Sequence, residues 1–296
     1  MVSGQREALS GVKPALAIAL TVGCLGCRHD GDENLGLARA RPAAVDVGAL
    51  AKTGELEKAL AMPSTEIARA IGAHRFTATT KLDVSSGETR DSLEETFRLD
   101  VDARGWSHLV HEDSHGNGSE AIAAGGDYFV RPRWGRFVRR SPEGDEVERA
   151  RDEMETVLAG YFQVLGRFAS RALDGETTVA GRRALKVKLA LAPTPAAFTD
   201  EDPAHAWRSS ARVSALDGEV DVDAASGAPL AARLDARYSA KRGDRAIEVA
   251  LAYRGSVEPG APAVAAPADS IATERPRPLV ERQQLLDGLA TGKPIK

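Results

Sequence analysis

From Leu230 to Ser239 the chain alternates apolar and polar residues without a break in phase. Leu230, Ala232, Leu234, Ala236 and Tyr238 fall on one side, Arg233, Asp235, Arg237 and Ser239 on the other. A period of two sends successive side chains to opposite faces of a strand, so one face is predicted to meet water and the other to be covered. The pattern recurs upstream. Phe76, Ala78, Thr80, Leu82 and Val84 alternate with Arg75, Thr77, Thr79, Lys81 and Asp83, and Phe97, Leu99 and Val101 alternate with Arg98, Asp100 and Asp102. Glycine-containing turns separate such runs at 85–87, 104–105, 116–118, 125–127, 181–182, 226–228 and 242–244. The spacing predicts about eleven antiparallel strands, six before residue 141 and five after 173, in a mainly β (α+β) fold.

Between the two groups of strands, residues 141–173 change period. Val147, Ala150, Met154, Val157/Leu158, Tyr161, Leu165 and Phe168 form one helical stripe, with Glu148, Arg149, Asp152 and Glu155 opposite. Ser141 suits the cap and Pro142 the first turn, while Gly160 and Gly166 weaken the interior enough to allow two shorter helices. Short helices are also expected over 55–62 and 64–71, broken at Pro63. The apolar sheet face needs a cover, which either the helices or a ligand supplies.

With 43% hydrophobic residues the chain can bury one sizeable core, filled mostly by Ala, Val and Leu because aromatics are only 5%. A net charge of -4 argues against a nucleic-acid partner. Both cysteines, Cys24 and Cys27, lie near the N-terminus, so the domain has neither a disulfide framework nor a cysteine-zinc site. Arg6 and Lys13 precede the apolar run 14–23, which is too short for a membrane span and has the make-up of a secretory signal. The segment Leu20-Thr21-Val22-Gly23-Cys24 resembles a bacterial lipobox. That resemblance implies lipidation at Cys24, with Cys27 the alternative, and Leu25 in the next position implies the outer membrane, facing the periplasm. The expected organisation is a signal peptide over 1–23, a tether over 24–54, a domain over 55–257 and a Pro/Ala-rich, extended tail over 258–296. Within the tail, 279–290 reads as a short helix.

An N-terminal helical segment, a long meander, a helical insertion and a second meander behind a lipobox resemble the LolA/LolB carriers and their LppX/LprG-like relatives. The resemblance rests on the 126–140 hairpin before the helix, the 175–189 hairpin after it, and the 217–238 hairpin near the end. It implies a strongly curved, unclosed half-barrel with a helical plug and an apolar cavity for acyl chains. On that reading Phe97, Leu99, Leu189, Leu234, Leu251 and Tyr253 are wall positions, and Tyr161, Phe162, Leu165 and Phe168 belong to the plug. The same residues suit a dry core.

Three constellations invite chemistry. His111-Glu112-Asp113-Ser114-His115 matches HExxH, but zinc chemistry needs that motif on a helix, and glycines at 105, 116 and 118 leave no room for one. Ala121 also stands where a third histidine would be needed, so no metal site is assigned at His111 and His115. Arg131, Arg133, Arg136, Arg139 and Arg140 interleave with Phe129, Trp134 and Phe137; Arg131, Arg133 and Arg139 are candidate phosphate or headgroup contacts, against the plainer reading of a wet hairpin face. Asp217, Glu219, Asp221 and Asp223 line one face of a strand, which reads as solvated, and Asp200-Glu201-Asp202 lie in a long loop. No nucleophile elbow or phosphate loop is present, and neither an enzyme nor a cofactor is expected.

The reading that follows is an envelope lipoprotein, membrane-tethered, that binds or carries an acyl-chain ligand. The alternative is a structural or interaction lipoprotein with an envelope protein partner and no small ligand. A zinc hydrolase at the HExxH match ranks third.

Overall fold

The six strands expected before residue 141 and the five after 173 all form, and a twelfth joins them. The computed structural model describes residues 44–52, 54–197, 203–242 and 245–272. Helices α1 (Glu55–Leu60) and α2 (Ser64–Ile71) lead into β1 (His74–Ser86), β2 (Thr89–Val101), β3 (Ser107–Asp113), β4 (Gly118–Ala124), β5 (Asp127–Pro132) and β6 (Phe137–Arg140). Helices α3 (Glu146–Glu155) and α4 (Val157–Leu165) follow. Then come β7 (Ala169–Val179), β8 (Arg182–Leu191), β9 (Arg212–Asp223), β10 (Pro229–Arg242), β11 (Arg245–Pro259) and β12 (Ser270–Ala272).

The twelve strands of the described residues belong to one curved, unclosed sheet, ordered β12-β6-β5-β4-β3-β2-β1-β11-β10-β9-β8-β7. Each half is a meander, and the halves meet where β1 pairs with β11, in register from His74↔Pro259 to Ser85↔Glu248. Every pairing is antiparallel except that of β12 with β6. Both ends of the sheet are blunted. At β7 the register slips between Leu173 and Glu176, and the ion pairs Asp174–Lys188 and Glu176–Arg183 flank the slip. At the other end β12 covers β6.

The helical region expected over 141–173, with a kink or break allowed at Gly160 or Gly166, is two helices that part at Thr156 instead, and it is shorter at both ends. Thr156 accounts for the break: its Oγ1 and its N–H both donate to the Asp152 carbonyl, at 2.6 and 2.9 Å, which ends α3. Ser141 stays outside the helix, and Arg140 pairs with Glu146 at its start. Residues 169–173 belong to β7, where edge pairing with β8 outweighs their helical propensity. Glu155, expected on the wet side, is buried.

The tail supplies the twelfth strand. Beyond β11 the chain crosses the outer face of β4–β6, where Val264 joins Ile122, Ala124, Phe129 and Phe137 in a second apolar cluster edged by Trp106. Asp102 holds it in place. Its carboxylate accepts the N–H groups of Arg104, Trp106 and Val264, and Arg104 Nη2 donates to the Val264 carbonyl. Cys24 and Cys27, the signal peptide, the acidic loop at 200–202 and the expected helix at 279–290 lie outside the described residues.

Candidate functional site

Strand register sorts the inner-face residues into rows that cross the sheet. One row runs Val187, Val220, Ala232, Gly255, Ala78, Phe97 and His111. The next runs Leu189, Gly218, Leu234, Tyr253, Thr80 and Glu95. A third places Ala236, Leu251, Leu82 and Leu93 side by side. Ala232, Gly255 and Ala78 at the centre of the first row leave room that the Tyr253 ring of the second row fills. A Cβ at Gly218 would meet the Arg233 carbonyl and Leu234, and one at Gly255 would collide with the Tyr253 ring, so both positions need glycine. Tyr253 is fully enclosed there, and burial, with Tyr161 close by, pushes its phenol far above the ordinary tyrosine range.

All ten expected wall and plug residues are buried: Phe97, Leu99, Leu189, Leu234, Leu251 and Tyr253 on the sheet, and Tyr161, Phe162, Leu165 and Phe168 on α4 and the turn after it. The protein itself buries them, so the sheet face is covered without a ligand.

The two cover helices differ in how they are held. Helix α4 buries Leu158, Tyr161, Phe162, Val164 and Leu165. Helix α3 buries one apolar side chain, Met154, and otherwise meets the rest of the molecule through polar groups. His74 Nε2 lies 2.7 Å from Glu155 Oε1, the Ser64 N–H donates to Asp152 Oδ1 at 2.8 Å, and Arg151 Nη2 donates to the Gly105 carbonyl at 2.5 Å. Glu155 Oε2 and Ser64 Oγ are buried with no hydrogen-bond partner among the described residues. A cavity of about 230 Å³ lies beside α3, bounded by Gly105, Trp106, Ala123, Gly125, Val147 and Arg151.

Towards β2 and β3 the inner face turns polar. Thr80, with no exposed surface, donates to Glu95 Oε2 at 3.2 Å, and His111 Nε2 meets Glu95 Oε1 at 3.0 Å. The His111 ring stacks on Phe97, centroids 4.6 Å apart and planes 10° from parallel. His111 is thus on strand β3, while His115 lies in the turn beyond it, where its Nε2 meets the Ser92 carbonyl at 3.1 Å. The segment is strand and turn, not the helix that an HExxH zinc site requires, and among the described residues no three His, Cys, Asp or Glu side chains converge as metal ligands.

The three candidate headgroup arginines of the hairpin face carboxylates. Arg131 pairs with Glu120 and lies over Phe137, Arg133 pairs with Glu112 and lies over Trp134, and Arg139 pairs with Asp127 at 3.0 Å. On β9, Asp217 pairs with Arg233, Glu219 with Lys186 and Asp223 with Arg182. A groove of about 1040 Å³, which the sequence reading missed, crosses the far ends of five strands. Arg90, Arg237 and Glu248 line it, and none of the ten wall and plug residues does. Its parts come from five separated segments of sequence, and only strand pairing assembles them.

No family model matches the chain, and no curated protein matches it. Among solved structures it is similar to LprF from Mycobacterium bovis, with 12% identity over 67% of this chain and 91% of that one and a TM-score of 0.21. It is also similar to an outer membrane lipoprotein-sorting protein domain from Vibrio parahaemolyticus, with 11% identity, coverage of 67% and 92%, and a TM-score of 0.23. A third likeness is to the complex structure of Pseudomonas aeruginosa MucA/MucB, with 19% identity and a TM-score of 0.21. There the match covers 73% of this chain but 64% of the other, less than two thirds of its length.

Proposed function

We propose that this chain is an envelope lipoprotein, anchored through Cys24, that binds or carries a lipid or acyl chain against the inner face of its sheet. One observation carries the reading. An unclosed sheet has an apolar inner face whose cover is divided between an apolar helix, α4, and one held by polar contacts, α3. Desolvating an acyl chain on that face is worth about 0.8 kcal/mol per buried methylene, enough for tight binding by a long chain. Because the wall residues already lie buried, entry requires α4 to move aside. Helix α3, with its hydrogen-bonded contacts and adjoining cavity, is the end from which that movement starts. Arg131, Arg133 and Arg139 are secondary headgroup contacts on this reading, each available to phosphate only by leaving its carboxylate.

Native mass spectrometry on the chain made in a bacterial periplasm, followed by organic extraction, tests the proposal. A co-purifying lipid, or uptake of added fatty acid or phospholipid, supports it. A ligand-free mass that accepts neither moves the assignment to an interaction lipoprotein, a reading favoured by the complete burial of the ten residues.

A further inference from the structure

The inner face is apolar across β8 to β11 but not across β2 and β3. Register places Thr80, Glu95 and His111 on the same face as Leu234, Tyr253 and Phe97, one or two strands along the same rows. Positions 91, 93, 95 and 97 of β2 alternate with solvent-facing residues, so Asp91 and Glu95 look inward with Leu93 and Phe97. Exposure rises along this stripe. The Glu95 side chain is 14% exposed, that of His111 27%, and that of Asp91 46% at the open rim.

The hydrogen bonds fix what this stripe offers. A carboxylate only accepts, so the proton in the His111–Glu95 bond sits on Nε2. In the tautomer this bond selects, Nδ1 is an acceptor, and it has no partner among the described residues. Glu95 receives one donor on each oxygen and keeps further lone pairs. Stacking on Phe97 holds the imidazole plane, so these acceptors are in place before anything binds. Among the described residues no lysine or arginine pairs with Glu95, and its second side-chain donor, Thr80, is a neutral hydroxyl.

Resting on the acyl-binding reading above, we infer that Glu95 and His111 form a head subsite that selects amphiphiles whose polar head donates hydrogen bonds and carries no negative charge. Glycerol hydroxyls and ammonium groups satisfy it. Free carboxylates and phosphates meet a carboxylate at close range in a poorly hydrated place, and like charges there repel far more strongly than in water. The tail then lies along the Phe97, Tyr253 and Leu234 side of the same rows.

Displacement of a fluorescent single-chain probe from the full chain tests the inference, with 1-oleoylglycerol, oleylamine, oleic acid and lysophosphatidylglycerol as competitors near neutral pH. The wild type is expected to favour oleoylglycerol and oleylamine over the two anions by about tenfold or more, the scale of one charge-assisted hydrogen bond made or refused. Glu95→Gln removes the charge in nearly the same volume and should bring all four within about threefold, mainly by improving the anions. His111→Phe keeps the stack but deletes the acceptor, and should weaken oleoylglycerol and oleylamine while leaving the two anions unchanged. Probe affinity reports the acyl face and the fold of each variant, so a variant that loses the probe is replaced in the comparison by the other. Equal ranking of the competitors in wild type, or the same ranking in Glu95→Gln, overturns the head subsite while leaving acyl binding intact. Failure of the wild type to bind the probe or any competitor overturns both.

Discussion

At Nδ1 the His74 ring donates to the Gly72 carbonyl at 2.8 Å, which leaves Nε2 facing Glu155 where neither side chain reaches water. Burial works against a charged ring, but the hydrogen bond and charge of Glu155 outweigh it and hold His74 above the ordinary histidine value. Burial likewise pushes Glu155 up, offset in part by His74; Asp152 adds to the rise and Arg151 opposes it. The folded protein therefore binds more protons here than the unfolded chain does. The resulting stability is complete below the unfolded histidine value and is lost as pH rises through the raised one. Asp102, Glu120, Glu146 and Asp223 work in the opposite sense. Burial raises each, but hydrogen bonds from arginines and, in places, backbone N–H groups bring it below the usual range, so their contribution is lost as pH falls through those lowered values. Thermal midpoints across pH should peak in mild acid. His74→Gln should cost roughly 3 kcal/mol near the peak and flatten the alkaline limb, leaving the acid limb unchanged. An unaltered alkaline limb would show that the pair does not set it.

Among the elements, the strap from Gly260 to Ala272 has the largest effect for its size. It closes the β6 edge and covers Ile122, Phe129 and Phe137, all held by the one carboxylate of Asp102. Asp102→Ala removes the acceptor of three backbone N–H groups and the partner of Arg104, a loss of about 3 kcal/mol. Limited proteolysis should then cut first between residues 260 and 272, at sites resistant in the wild type. Cleavage elsewhere would place the weak point outside the strap. The strap also marks where sequence reading stops. Long strands such as β1 and β10 declare themselves because alternation is a local consequence of having one wet face. A Pro/Ala-rich segment has no period, and nothing local tells that Val264 will find Phe129. Thr156 breaks a continuous apolar stripe through a hydroxyl that the stripe does not register. Glu155 sits on the polar side of the α3 pattern, yet His74, 81 positions away, makes that side an interior one. Likewise His111 reads as part of a metal motif by spacing, whereas its partner Glu95 comes from the neighbouring strand.

For the molecule as a whole, the order of strands sets a gradient of protection. Strands β1, β11 and β10 are paired on both sides over a dozen residues or close to it, and β7 and β12 on one side only. Amide hydrogen exchange should be slowest in those three central strands and fastest in β12 and the far half of β7, with α3 exchanging faster than α4. Equal rates in the two helices would remove the case for α3 as the end that opens. The seam between β1 and β11 has a temporal side as well. Partners on its two sides are separated by about 160 to 185 positions, as with Ser85 and Glu248 or His74 and Pro259, and β1 is made long before β11. While residues 102 to 244 have still to emerge, β1 has β2 on one flank and an unpaired row of backbone donors and acceptors on the other. The first meander is therefore born as a sticky half-sheet, and its centre becomes the best-protected part of the protein only when almost the last strand arrives.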